Sequence, residues 1–155
     1  MRAALLTSLV IFLAFPAAAT AEVATPYPDT LVVDTGRPFA EFVKKLEAAI
    51  GDNKMGIVAR ACATCGARSI GVTIPGNRVI MIFRPDFAVR MLKASVAAGI
   101  EAPLRLYVTE RPDGLARLTY RLPSGVFAPY RVAELDAMAG ELDKIMARIV
   151  ADAMR

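Results

Sequence analysis

Two cysteines three positions apart, Cys62-Ala63-Thr64-Cys65, are the side chains of this sequence best suited to chemistry, and the chain carries no other cysteine. It also carries no histidine, which removes the imidazole base, the haem attachment of the Cys-x-x-Cys-His kind and the mixed Cys/His zinc site. Several thiol chemistries stay open. Joined as a disulfide, the pair is either a staple, whose effect on chain entropy is least for so short a loop, or a centre of thiol–disulfide exchange. Kept as thiolates, the two sulfurs suit a soft metal such as Cu(I) or Zn(II), although they fill only half of a tetrahedral shell. Left as packed thiols among Ala61, Ala63 and Ala67, they do no chemistry. Exchange gains if a helix starts near Cys62, because the unpaired N–H groups of a helix start stabilise a thiolate. Against it, only a few residues separate Cys65 from the next expected strand, too few for the long helix that follows the cysteines of thioredoxin-like enzymes.

Carboxylate catalysis has less support. Asp34, Asp86, Glu101, Glu110 and Asp113 sit at element ends and turns, where acids cap or solvate the backbone, and no Gly-x-Ser-x-Gly elbow presents a nucleophile. Arg105, Arg117 and Arg121, with Thr119, fall on one face of a strand pair and suit an anionic ligand, the plainer alternative being a solvated face. The formal net charge of +4 is spread along the chain with no basic stripe interleaved with aromatics, so no nucleic-acid partner is expected. No cofactor is expected either.

These groups must be positioned by a chain that opens with an export signal. Met1 and Arg2 form a positive start, Ala3 to Phe15 an apolar core, and Ala19-Thr20-Ala21 a small-residue cleavage site that leaves Glu22 first. The apolar stretch is shorter than the roughly 20 residues of a membrane span, so no membrane insertion is expected after cleavage. The expected compartment is periplasmic or secreted, where disulfides persist. Beyond the signal, residues 22–29 read as a linker punctuated by Pro26 and Pro28, and residues 30–155 as one domain.

Within that domain a first strand runs from Thr30 to Val33 or Asp34, and Pro38 starts a helix whose Phe39, Phe42, Val43, Leu46 and Ile50 share a face and whose stop is Gly51. Met55 to Ala61 forms a second strand that delivers the chain into the cysteines. Ser69 to Ile74 alternates weakly, Pro75-Gly76-Asn77 turns, and Val79 to Phe83 has the continuous apolar character of a central strand. Pro85-Asp86 starts a helix that reaches about Ala98, with Gly99 as its stop. Leu104, Leu106 and Val108 alternate with Arg105, Tyr107 and Thr109, giving a strand with one dry and one wet face. Arg111-Pro112-Asp113-Gly114 has the residue types of a hairpin turn, and the return strand spans Leu115 to about Leu122. After a loop from Pro123 to Pro129, a long helix from about Val132 to Met154 carries the stripe Leu135, Met138, Leu142, Ile145 and Ile149. Clustered strands with helices at the ends of the clusters indicate an α+β, two-layer architecture.

The ordered series Phe39 to Ile50, Met55 to Ala61, Gly66-Ala67-Arg68, Val79 to Pro85, Ala102 to Val108, Gly114 and Thr119-Tyr120 resembles the bacterial and archaeal family called domain of unknown function 302. The resemblance covers roughly Leu31 to Ala153. It implies a curved, mostly antiparallel sheet backed by helices, similar to the TATA-binding-protein-like fold, and a homodimer. It implies no established reaction. Members of that family often carry an Asp-His pair just before the segment matched by Gly66-Ala67-Arg68, where this chain has Cys62 and Ala63, so a role resting on that histidine does not transfer. The expectation is therefore an exported, non-catalytic binding or interaction module for a small ligand or a protein partner. The alternative is a periplasmic thiol–disulfide redox or soft-metal protein centred on Cys62 and Cys65.

Overall fold

The structure, a computed structural model, describes Thr25 and residues 27–155. The signal read over Met1–Ala21 and its cleavage point lie outside the described residues. Alternating side chains need two different surroundings, and the strand Leu104–Glu110 finds both. Along Leu104–Glu110, Leu106 and Val108 are fully buried while Arg105 and Tyr107 point out, as the two-residue period of an extended chain requires.

The described strands are β1 (Thr30–Pro38), β2 (Gly56–Ala61), β3 (Asn77–Phe83), β4 (Leu104–Glu110) and β5 (Leu115–Arg121). They form one antiparallel sheet in the order β1-β5-β4-β3-β2. Register keeps like with like: Ile80 pairs with Leu106 and Leu106 with Tyr120, all three on the dry face. β1 outruns its expected end through a bulge between Asp34 and Pro38, where Gly36 takes a positive φ of 65° and the buried Thr35 hydroxyl donates to the Ala116 carbonyl at 2.7 Å.

The helices are α1 (Phe39–Asp52), α2 (Ala63–Ser69), α3 (Pro85–Ala94), α4 (Pro123–Phe127) and α5 (Ala133–Ala153), with 3₁₀ turns at Ala97–Glu101 and Ala128–Tyr130. The expected stripe of α5 is buried from Leu135 to Ile149, and α5 packs against α1, α3 and α4. One buried cluster joins Phe42, Leu46 and Ile50 of α1 and Leu142, Met146 and Ile149 of α5 to Ile80, Leu106 and Leu118 of the sheet. The α+β, two-layer architecture thus holds, with one curved sheet backed by helices.

Four further boundaries differ from expectation for physical reasons. Gly51 lies inside α1, and the stop comes at Asn53 and Lys54, where Lys54 takes the left-handed φ of 61°. There Lys54 N–H donates to the Gly51 carbonyl and Met55 N–H to the Ile50 carbonyl, the paired bonds of a Schellman ending. Asn53 adds side-chain bonds to the Ala49 carbonyl and to Asp152, both at 2.9 Å, so specific hydrogen bonds replace glycine's freedom. α3 ends at Ala94 because Ser95 is extended, which turns Ala98 into the core and leaves Val96 and Ile100 outside. Pro123–Pro129, expected as a loop, is mostly helical, with Pro123 in the first turn and Val126 and Phe127 buried. Ser69–Ile74 is no strand: α2 runs to Ser69, and Gly71, at a φ of 77°, and Val72 then turn back to bond the Arg68 and Ala67 carbonyls.

Truncating Leu142 to Ala in the middle of the α5 stripe should cost about 2 to 5 kcal/mol through the cavity it leaves. Lys144→Ala should change the urea midpoint little. Equal midpoints for the two variants would contradict the packing of α5.

Candidate functional site

β2 hands the chain to α2 at Cys62, which occupies the N-cap position in an extended conformation. Its Sγ accepts the Cys65 N–H at 3.1 Å and its carbonyl accepts the Gly66 N–H at 3.0 Å, so the cysteine does the work usually given to Ser or Asp. One turn of helix brings the two Cα atoms to 5.2 Å, and Cys62 and Cys65 are joined as a disulfide. Cys62 is half-buried, Cys65 is exposed, and Ala61 and Ala63 are exposed too, so these alanines do not bury the sulfurs in a core. In the disulfide the sulfurs are not the thiolates that a soft metal requires.

Thr64, between the cysteines, ties α2 to the next strand. Its hydroxyl donates to the Pro75 carbonyl at 3.0 Å and accepts the Asn77 N–H at 2.8 Å. The Pro75-Gly76-Asn77 turn is itself fixed from the far side: Gly76 N–H donates to Glu110, Glu110 N–H returns to the Gly76 carbonyl at 2.8 Å, and the Asn77 amide donates to the Tyr107 hydroxyl. Gly76 is needed there, because a Cβ would stand 2.6 Å from the Phe39 ring. The pair is thus anchored to the sheet by side chains whose role was not legible in the Cys-x-x-Cys spacing alone.

The face of the sheet that no described helix covers carries the other expected residues, in rows set by the ladder. A middle row runs Val32, Thr119, Tyr107, Val79, Ala61 across all five described strands and ends one residue before Cys62. On one side of it lie Asn77, Thr109, Arg117 and Asp34; on the other, Ala59, Met81 and Arg105, with Arg121 and Thr30 beyond. None of these residues is buried.

The three arginines named from sequence share this face but not one environment. Arg117 is clamped by Asp34, with Nε to Oδ1 at 2.6 Å and Nη2 to Oδ2 at 3.1 Å, and Arg111 approaches the same carboxylate at 3.3 Å. The Arg117 hydrogen bond holds the Asp34 carboxyl below its ordinary pKa, and the same bond raises Arg117. Asp34 thus already neutralises Arg117. Arg105 and Arg121 come together instead, in the lining of a pocket of about 290 Å³ with Tyr27, Glu101, Pro103, Leu104 and Val126. The Arg121 guanidinium sits 4.9 Å from the Tyr27 ring centroid, a cation–π contact. Sequence reasoning left Tyr27 in a linker. Leu122 N–H to the Asp29 carbonyl ties that stretch to the end of β5, and Thr30 Oγ1 closes a local bond to the Tyr27 carbonyl.

Among the described residues no group of three or more acidic, histidine or cysteine side chains could hold a metal ion, and no helix is long and apolar enough to cross a membrane.

Residues 31–153 match the family described as Domain of unknown function DUF302. The chain belongs to that family. No curated protein matches the DUF302 chain. Among solved structures it is similar to an uncharacterized conserved DUF302 protein from Bacillus stearothermophilus, with a TM-score of 0.72 at 19% identity, covering 83% of this chain and 99% of that one. At that identity the likeness is one of fold.

Proposed function

We propose that this DUF302 chain is an exported, non-catalytic binding module that works through the sheet face that no described helix covers and pairs there with a second copy of itself. The observation that carries the reading is the middle row. Val32, Tyr107, Val79 and Ala61 set an uncharged strip across the sheet, its apolar run interrupted only by Thr119, with Tyr107 and Val32 each 37% exposed, while the cationic and ion-paired rows flank it. An apolar centre with a polar rim is the anatomy of an association surface. A two-fold axis through such a strip lays it on its own copy, and the flanking rows then meet in opposite order, so that Asp34 lies nearer the partner's arginines. The export pattern of Met1–Ala21 and the joined cysteines both suit an oxidising compartment.

Thiol–disulfide exchange is the second reading, favoured by the exposure of Cys65 at the start of a helix. In that reaction an external thiolate attacks one sulfur and forms a mixed disulfide while the other sulfur leaves as thiolate. A second external thiol then resolves the mixed disulfide. Two external thiols end oxidised to a disulfide, and Cys62 and Cys65 end as the reduced dithiol.

Light scattering on the eluted exported protein should give the mass of a dimer, and Tyr107→Arg should elute as a folded monomer with unchanged far-ultraviolet dichroism. A monomeric wild type, or a dimeric variant, would contradict pairing through this face. Equilibration with glutathione decides the second reading: a potential well above roughly −300 mV supports exchange, and one below it leaves the disulfide a staple.

A further inference from the structure

Arg105 on β4 and Arg121 on β5 lie one ladder step beyond the Leu106–Tyr120 pair and face each other across adjacent strands. Like charges so placed repel, and a negative group between or beside them relieves that repulsion. On the same face Arg117 has Asp34 for that purpose. Among the described residues neither Arg105 nor Arg121 has an ion-pair partner. The Nε of Arg121, like that of Arg78, is moreover buried with no hydrogen-bond acceptor among the described residues. Tyr27 stacks on that guanidinium and restricts its movement, so it is already oriented before anything binds.

The pocket beside the two cations has a second character. Pro103, Leu104, Val126 and the Tyr27 ring give it apolar walls, and its volume of about 290 Å³ is at the small end of the range for ligand sites. Glu101 also lines it, with one carboxylate oxygen accepting the Tyr130 hydroxyl at 3.1 Å. That negative charge is compatible with one anionic group held by the arginines and repels a second.

We propose that this pocket binds a small organic monocarboxylate, its oxygens between Arg105 and Arg121 and its carbon body against Pro103, Leu104, Val126 and Tyr27. Arginine suits the role because its planar fork meets both carboxylate oxygens at once. An inorganic oxyanion would leave the apolar walls unused, and a dianion would be opposed by Glu101. The proposal rests on the reading of the domain as a binding module and names the chemistry of its ligand.

Benzoate, its neutral counterpart benzamide and inorganic phosphate are the probes, titrated into isotope-labelled exported protein and followed by the Arg121 Nε–H and Leu104 amide resonances. Benzoate should move both signals, benzamide should move neither, and phosphate should bind more weakly than benzoate. Arg105→Gln and Arg121→Gln should each weaken benzoate by about tenfold or more, the effect of one charge-assisted pair, with Arg121→Lys retaining part of the affinity. Equal binding of benzoate and benzamide, no response to millimolar benzoate, tighter binding of phosphate, or unchanged affinity in the glutamine variants would overturn the assignment. Elution mass measured on the same samples separates the two readings: a dimer that ignores benzoate loses only the ligand, whereas a monomer that binds benzoate loses only the pairing.

Discussion

Leu106 and Val108 can be dry only because a helical layer covers one face of the sheet, and α5 is the element that holds that layer together. Its stripe from Leu135 to Ile149 meets α1, α3 and α4, and the buried cluster continues through α1 into β4 and β5. A helix buries one stripe and a sheet can bury two faces, so a layer on one side satisfies the helices and leaves half of the sheet uncovered. The exposure of Tyr107 and Val32 follows from the same geometry that buries Leu106 and Val33's neighbour Leu118. Packing energy on one face thus produces the surface on the other.

The disulfide and the arginine pocket occupy different ends of that surface. Ala61, the last residue of β2, closes the middle row and places Cys62 at its end, while Thr64 and the Pro75-Gly76-Asn77 turn hold α2 to β3. Arg105 and Arg121 lie beyond the row toward Pro103 and Glu101. A short loop closed by two cysteines changes chain entropy little, so its main structural consequence is local: it keeps the first turn of a seven-residue helix formed where none of the helix's side chains is buried.

Much of this was legible from periodicity. The two-residue alternation in β4 and the apolar spacing in α1 and α5 place their faces correctly, because burial is the dominant force and its pattern is written in residue type. The hairpin at Arg111-Pro112-Asp113-Gly114 was legible for a similar reason, since the turn needs those residue types and Gly114 takes a φ of 78°. What was not legible depends on bonds between distant positions. Lys54 replaces a glycine at a helix end because Asn53 and the following amides close the motif, and Asn53 reaches Asp152, far along the chain. α2 is too short for a periodic signal, and a cysteine serves as its cap. The separation of Arg117 from Arg105 and Arg121 could not be read from three arginines on one face, because it turns on Asp34 in β1 lying opposite Arg117 in β5. Tyr27 gave no signal at all among the prolines around it.

The central claim is that the uncovered face is the working surface of the protein, and side-chain labelling reads that face directly. Hydroxyl-radical oxidation of Tyr107 and Met81, measured at low and at high protein concentration, should fall as concentration rises, while Ile100, 78% exposed outside the sheet, should be labelled equally in both. Oxidation of Tyr107 and Met81 that does not depend on concentration would contradict the account.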